Sequence, residues 1–281
     1  MLKHALALSV MLGAGACGEA SDREDTDLRN FDYATQIDVP SPDYATMIEG
    51  EARPSVEYID RIEADAPVPE AGASIGELWY ERLNKRRTVQ SVASATIGDD
   101  SAIIMMQTLL THDDFTDWVR REGWAVPRHI TFYFVPPMSF PAISQPAQSA
   151  VKVWPASRIR TGMQNMAAFY GKVYIEDGCV FVKDASAVVS LAWFLPETGL
   201  DVDDDGYLVL VDRITGWTKA RLGETMTWAG PNREPSDDDT AALREACGNY
   251  PVREVGNPYS ERRHDAERAR AMMGSEANSS G

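Results

Sequence analysis

Helical and strand-like spacings of apolar residues occupy only the middle of this chain and leave both ends without a pattern. The clearest helical spacing runs from Thr111 to Glu122. Thr111 and Asp114 make a capping box, Phe115, Trp118 and Val119 share one face, Arg120 and Arg121 suit the C-terminal end, and Gly123 ends the run. A second capping box, Ser74 with Glu77, precedes Leu78, Trp79, Arg82 and Leu83 at helical spacing. Between these helices, Thr88–Thr96 and Ala102–Leu110 are β-compatible runs separated by Gly98-Asp99-Asp100, which is hairpin-turn chemistry. His129–Val135 then alternates, with Ile130, Phe132 and Phe134 on one side. Residues 74–135 are therefore expected to form a small α+β unit.

Residues 136–157 are rich in Pro, Ser, Ala and Gln and read as a linker. Ile159, Met163, Met166, Ala167 and Tyr170 suggest a short helix leading into residues 158–258. That region is a series of short β runs: Lys172–Glu176, Val180–Lys183, Val188–Phe194, Tyr207–Asp212 and Glu224–Trp228. Short strands at this spacing predict a small barrel or sandwich, with Thr240–Ala246 as a helix ending at Gly248. The fold class expected is α+β, a small α+β unit followed by a mostly-β unit. Residues 259–281 are polar and rich in small residues, and are expected to be disordered.

Charge changes the picture at the N-terminal side. The net charge is −16, and the stretch from Gly18 to Ile75 carries −11 of it, with fifteen acidic residues against four arginines. Pro40, Pro42, Pro54, Pro67 and Pro69 break the same stretch, so residues 17–73 read as a disordered acidic tether. So acidic a chain lacks the basic surface that nucleic acid or anionic headgroups require.

Ahead of this tether, Met1-Leu2-Lys3-His4 is weakly positive, Ala5–Leu12 is apolar, and Leu12-Gly13-Ala14-Gly15-Ala16-Cys17 follows. The layout is that of an export signal over residues 1–16, and its apolar stretch is too short to span a bilayer. It resembles the processing site of bacterial lipoprotein precursors, which implies that Cys17 becomes the lipid-modified first residue and anchors the protein to a membrane. The resemblance departs at Ala14, where the family usually carries Leu. Ala14-Gly15-Ala16 also satisfies ordinary signal cleavage, which would release a secreted or periplasmic protein. With Cys17 lipidated, Cys179 and Cys247 remain as a pair, expected to form a disulfide in an oxidising compartment. The stretch Gly171–Val180 resembles the opening of a small β domain of uncharacterised bacterial envelope proteins, a likeness that implies no activity.

The best candidate for site chemistry is Asp201-Val202-Asp203-Asp204-Asp205-Gly206 through Asp212. Asp201, Asp203, Asp205 and Asp212 stand at the first, third, fifth and twelfth positions of an EF-hand-like calcium loop, with Gly206 at the sixth. The flanks are those of strands rather than helices, so an acidic hairpin turn at Asp205-Gly206 competes with calcium binding. Gly72-Ala73-Ser74-Ile75-Gly76 spells a nucleophile elbow without the preceding strand that an elbow needs. His112 with Asp113 and Asp114, and His129, lack the spacing of a metal or acid–base site. Trp193, Trp217 and Trp228 either fill the β core or offer a stacking face.

No catalytic residue or organic cofactor is identified, and calcium is the one candidate ligand ion. The expectation is an exported, lipid-anchored module of the cell envelope, facing the periplasm or the exterior. It would bind a glycan or an envelope protein rather than catalyse, with an envelope hydrolase as the alternative.

Overall fold

The computed structural model describes residues 39–51, 60–68, 73–97, 101–157, 160, 168–230, 235 and 237–279. The first half of the chain contributes α1 (Tyr44–Gly50), β1 (Arg61–Ile62), α2 (Ala73–Lys85), β2 (Val89–Ile97), β3 (Ser101–Thr108), α3 (His112–Glu122) and β4 (Ile130–Tyr133). One four-stranded sheet results, in the order β1-β4-β3-β2. β2 and β3 form the expected hairpin, α3 carries the chain over to β4 parallel to β3, and β1 completes the far edge. The local signals for α3 act as read: the Thr111 hydroxyl accepts from Asp114 N–H, and Gly123 ends the helix at φ 68°. Phe115 lies 4.8 Å and Trp79 5.3 Å from the Phe132 ring centroid, and Leu83, Met106 and Ile130 are fully buried around them. Truncating such an aromatic side chain to Ala costs about 3–5 kcal/mol.

The second half contributes β5 (Ala168–Glu176), β6 (Cys179–Asp184), β7 (Val189–Phe194), β8 (Thr198–Val202), β9 (Leu208–Asp212), β10 (Thr218–Arg221), β11 (Thr225–Ala229), α4 (Asp237–Cys247), β12 (Val252–Ser260) and α5 (Glu261–Ser279). β5, β6 and β7 form an antiparallel meander, β7 runs parallel to β12, and β12 and β11 are antiparallel. β11 pairs back onto β5, so the five strands close. β8, β9 and β10 form a separate three-stranded sheet. Val173, Val180, Val182, Ala192, Phe194, Met226, Trp228 and Val255 are buried in the core. Gly171 is required there, because a Cβ at that position would collide with the Lys183 carbonyl oxygen and the Trp228 ring. Cys179 and Cys247 are bonded, with Cα atoms 5.7 Å apart, which ties α4 to β6.

Four expectations need correction. The acidic tether is not wholly free: residues 39–51 lie against the β unit and residues 60–68 against the first sheet. Its acids and tyrosine find buried cationic and carboxylate partners far along the chain, which local composition does not reveal. The stretch 259–281, expected to be disordered, forms α5 as far as Ser279 and packs on α1. Residues 136–157 do not behave as a linker; Ala147 is fully buried, Trp154 stacks on Phe194 at 5.0 Å, and Ile143 bridges to Leu200. Finally, Tyr170 belongs to β5 rather than to a leading helix, of which residues 161–167 lie outside the described set.

Candidate functional site

Residues 39–51 form a strap across the β unit and bring polar side chains against buried charged groups there. Asp43 caps α1 by accepting from Thr46 N–H, and that bond with the Thr46 hydroxyl's holds the Asp43 carboxyl below the usual range. Helical spacing then puts Tyr44 and Ile48 on the buried face. The Tyr44 hydroxyl donates to Glu224 Oε2 at 2.5 Å, and Ser41 donates to the other oxygen of the same carboxylate. Burial, followed by the Glu224 charge, pushes the Tyr44 phenol well above its ordinary range. Glu224 is itself only 5% exposed and also accepts from Arg221 N–H at 2.8 Å.

Two buried arginines complete this seam. Arg221, 3% exposed, donates to Asp203 Oδ2 and Asp205 Oδ2 at 2.5 Å each and to the Pro40 carbonyl at 2.8 Å, and its guanidinium lies 4.3 Å from the Tyr207 ring centroid. Burial opposes its charge, but the bonds to Asp205 and Asp203 outweigh that and raise its pKa above the ordinary value. Arg263, 1% exposed, pairs with Glu51 and donates to the Thr218 carbonyl at 2.6 Å and the Tyr259 hydroxyl at 2.8 Å. The Tyr259 phenol is pushed up to about 12 by burial and then by its bond to Glu267. Nearby, Lys219 reaches Asn257 Oδ1 at 2.8 Å and Asp212 at 3.4 Å, and burial lowers its pKa.

Beside the seam, a cleft of about 230 Å³ is lined by Val39, Lys172, Glu224, Thr225, Glu261 and Arg262, together with Gly223. Arg262 Nη1 donates to the Ser41 hydroxyl at 2.7 Å, so the strap forms part of the wall. Lys172 and Thr225 are register partners across β5 and β11. Tyr170, two residues before Lys172 and therefore on the same face of β5, is 51% exposed. The cleft joins two cations, two carboxylates and a hydroxyl, with an aromatic ring alongside.

The residues singled out in the sequence fall differently. Asp201 lies on β8, and its carboxylate accepts from Val202 N–H. Asp203 and Asp205 converge on Arg221, and Asp203 also accepts from Asp205 N–H and Tyr207 N–H. Asp212 caps the β9–β10 turn through Ile214 N–H and Thr215 N–H. The stretch is a β8–β9 hairpin with Gly206 at φ 83°. Among the described residues, no three His, Cys, Asp or Glu side chains are placed to share a metal ion.

Ser74 sits in the first turn of α2, exposed. His112 Nδ1 lies 2.9 Å from Asp60 Oδ2, and its ring stacks on Phe134. Trp193 and Trp228 are core residues, and Trp217 is half-buried. Cys17 lies outside the described residues. Among the described residues, no helix is long and apolar enough to cross a membrane.

Sequence reasoning missed Lys172, Glu224, Arg221, Arg262 and Arg263. The one local signal was the arginine density from Glu261 to Arg270, too strong for an inert tail.

Comparison with protein-family models, curated proteins and solved structures found no match for the chain.

Proposed function

We propose that the chain is a binding module of the bacterial cell envelope, exported and held at a membrane by lipid on Cys17, and that its ligand is a glycan. The cleft beside Tyr170 carries this reading. An exposed ring about 7 Å along the strand from Lys172 offers a stacking platform for a sugar face. Lys172, Thr225, Glu261 and Arg262 offer donors and acceptors for its hydroxyls and carboxylates.

The strand order supports the same class. A meander whose third strand runs parallel to the fifth, while the fourth closes on the first, is the topology of an OB-type barrel, a scaffold used for oligonucleotides and oligosaccharides. The charge of −16 disfavours the former. OB barrels commonly bind on the face of their second and third strands. Here Phe181 and Leu191, register partners on β6 and β7, are buried, with Tyr250 against Phe181 and the Cys179–Cys247 bridge alongside. The side of β5 and β11, where the cleft opens, takes over. The disulfide fits an oxidising compartment.

The test is calorimetric titration of the chain from Gly18 to Gly281 with soluble cell-wall glycan fragments. Saturable binding that falls at least tenfold in Tyr170→Ala and in Lys172→Ala is expected. Heat without saturation, or turnover of the fragments, overturns the reading, turnover in favour of an envelope hydrolase. For the anchor, fatty-acid label in cells should be lost in Cys17→Ser; retained label refutes lipidation there.

A further inference from the structure

The C-terminal ends of α2 and α3 meet around Trp118 and Trp124, whose ring centroids are 5.2 Å apart. The Arg82 guanidinium lies 3.6 Å from the Trp124 centroid and 4.8 Å from that of Trp79, and the Arg86 guanidinium lies 4.8 Å from that of Trp118. Leu78, Arg82 and Lys85 stand at i, i+4 and i+7 of α2 and so share one stripe, and Arg86 and Arg87 follow it directly. Leu78 is 45% exposed, and Lys85, Arg86, Arg87 and Arg121 are exposed as well. Glu77 and Glu81, four residues apart, share a different stripe of α2, and on α3 Asp117 is taken by Arg120. Among the described residues, no carboxylate lies within pairing distance of Arg82, Lys85, Arg86, Arg87 or Arg121. Held over rings and unpaired, the Arg82 and Arg86 guanidinium groups are placed to meet phosphate oxygens.

A chain with a net charge of −16 thus gathers unpaired cations at one end of a unit. Charge averaged over the sequence hides this, because no acid interrupts the run from Arg82 to Gly98, while most of the acidic excess sits before Ile75. The dipoles of two helix C-termini favour positive charge there, but they do not account for Arg87. It holds φ 56°, a left-handed position after a helix that usually falls to Gly or Asn, so a cation is kept against backbone preference. Nor do they account for an exposed leucine in the cationic stripe or for the half-buried Trp124 beside it. A soluble polyanion would ask for the cations alone. A bilayer interface takes cations, an aliphatic side chain and an indole together, and a cluster of roughly four to eight Lys and Arg is what an anionic leaflet attracts.

We propose that this end of the α+β unit docks on an anionic phospholipid bilayer, with Arg82, Lys85, Arg86, Arg87 and Arg121 on the headgroup phosphates and Leu78 and Trp124 at the acyl boundary. The same surface repels the acidic remainder of the chain, which sets the orientation. The docking uses neither the cleft nor lipid on Cys17.

The experiment is co-sedimentation of the chain from Gly18 to Gly281, which carries no lipid, with unilamellar vesicles. One set is phosphatidylcholine alone, and the other is phosphatidylcholine with an equal part of phosphatidylglycerol. The chain is expected to partition onto the mixed vesicles and not onto the neutral ones. Lys85→Ala combined with Arg121→Ala should weaken that partition about 25-fold, since each cation near an anionic surface is worth about fivefold. Lys152→Ala combined with Arg268→Ala removes the same charge from exposed positions elsewhere and should leave the partition within about twofold of wild type. Leu78→Ser should cause a further loss on vesicles. Circular dichroism spectra should be the same throughout, as the substituted side chains are exposed. Equal partition onto both kinds of vesicle, or onto neither, overturns the proposal, and so does an equal loss in the two double variants. Binding to soluble polyphosphate without binding to mixed vesicles overturns it in favour of a dissolved polyanion.

Discussion

Replacing Glu51 by Ala tests whether the strap is a structural part of the β unit. Arg263 is 1% exposed, and Glu51 supplies its two-pronged carboxylate partner. Removing one member of a buried pair leaves the other charge uncompensated, at a cost of about 3–5 kcal/mol. Some compensation remains: the guanidinium keeps the Thr218 carbonyl, the Tyr259 hydroxyl and Glu267 at 3.3 Å. The expected loss therefore sits at the low end, about 3 kcal/mol. In urea, a slope of about 2–3 kcal/mol per M makes that a fall in midpoint of about 1 M or more. Glu49→Ala is the reference, since Glu49 is exposed in α1, two residues before Glu51, and should stay within about 0.5 kcal/mol of wild type. A Glu51→Ala midpoint indistinguishable from that of Glu49→Ala would refute the reasoning, because an undocked strap leaves Arg263 nothing to lose.

Asp203→Asn combined with Asp205→Asn should cost about 2–3 kcal/mol in EDTA, because the buried Arg221 guanidinium loses both of its carboxylate countercharges and keeps neutral acceptors such as the Pro40 carbonyl. Unchanged stability in EDTA, together with loss of a calcium-induced rise in melting temperature, would instead restore the calcium loop. Gly171→Ala should lower stability by about 1–3 kcal/mol or prevent folding, since backbone of β6 and the Trp228 ring occupy the space a methyl needs; thermal unfolding followed by tryptophan fluorescence reads this. The Asp184 carboxyl, which accepts from the Ser186 hydroxyl and is paired with Arg253 at 3.1 Å, should titrate below the usual carboxylate range in an NMR pH series. A folded-state pKa below the unfolded one means that its contribution is full above about pH 4 and is lost as pH falls through the folded value. Ser186→Ala should move the titration back towards the ordinary value.

What could be read from the sequence was local chemistry. α3 is announced by Thr111, Asp114 and Gly123, and each acts within four residues of its own position. The β2–β3 hairpin is announced by the turn residues between two apolar runs. The strap and α5 could not be read in the same way. Tyr44 meets Glu224 across 180 residues, Arg263 meets Glu51 across 212, and Arg270 donates to the Ile48 carbonyl across 222. Nothing near Glu51 in the chain distinguishes it from the other acids of an acidic stretch. The cleft was hidden for the same reason, since Lys172, Glu224 and Arg262 come from three separate stretches. The Asp-rich stretch was legible as a hairpin turn, whereas the guanidinium of Arg221 that meets Asp203 and Asp205 comes from a later strand that the local spacing does not reveal.

The strap also imposes an order in time. A ribosome or an export channel delivers residues 39–51 well before residues 261–270. The strap therefore waits for about 200 further residues before its buried partners exist. Until then Tyr44 and Ile48 stay uncovered and the β unit cannot close over Arg263. A product cut short before α5 would keep most of its strands and still betray its incompleteness by a loose, protease-sensitive N-terminal end. Docking of the strap thus reports that residues 261–270 have joined the fold.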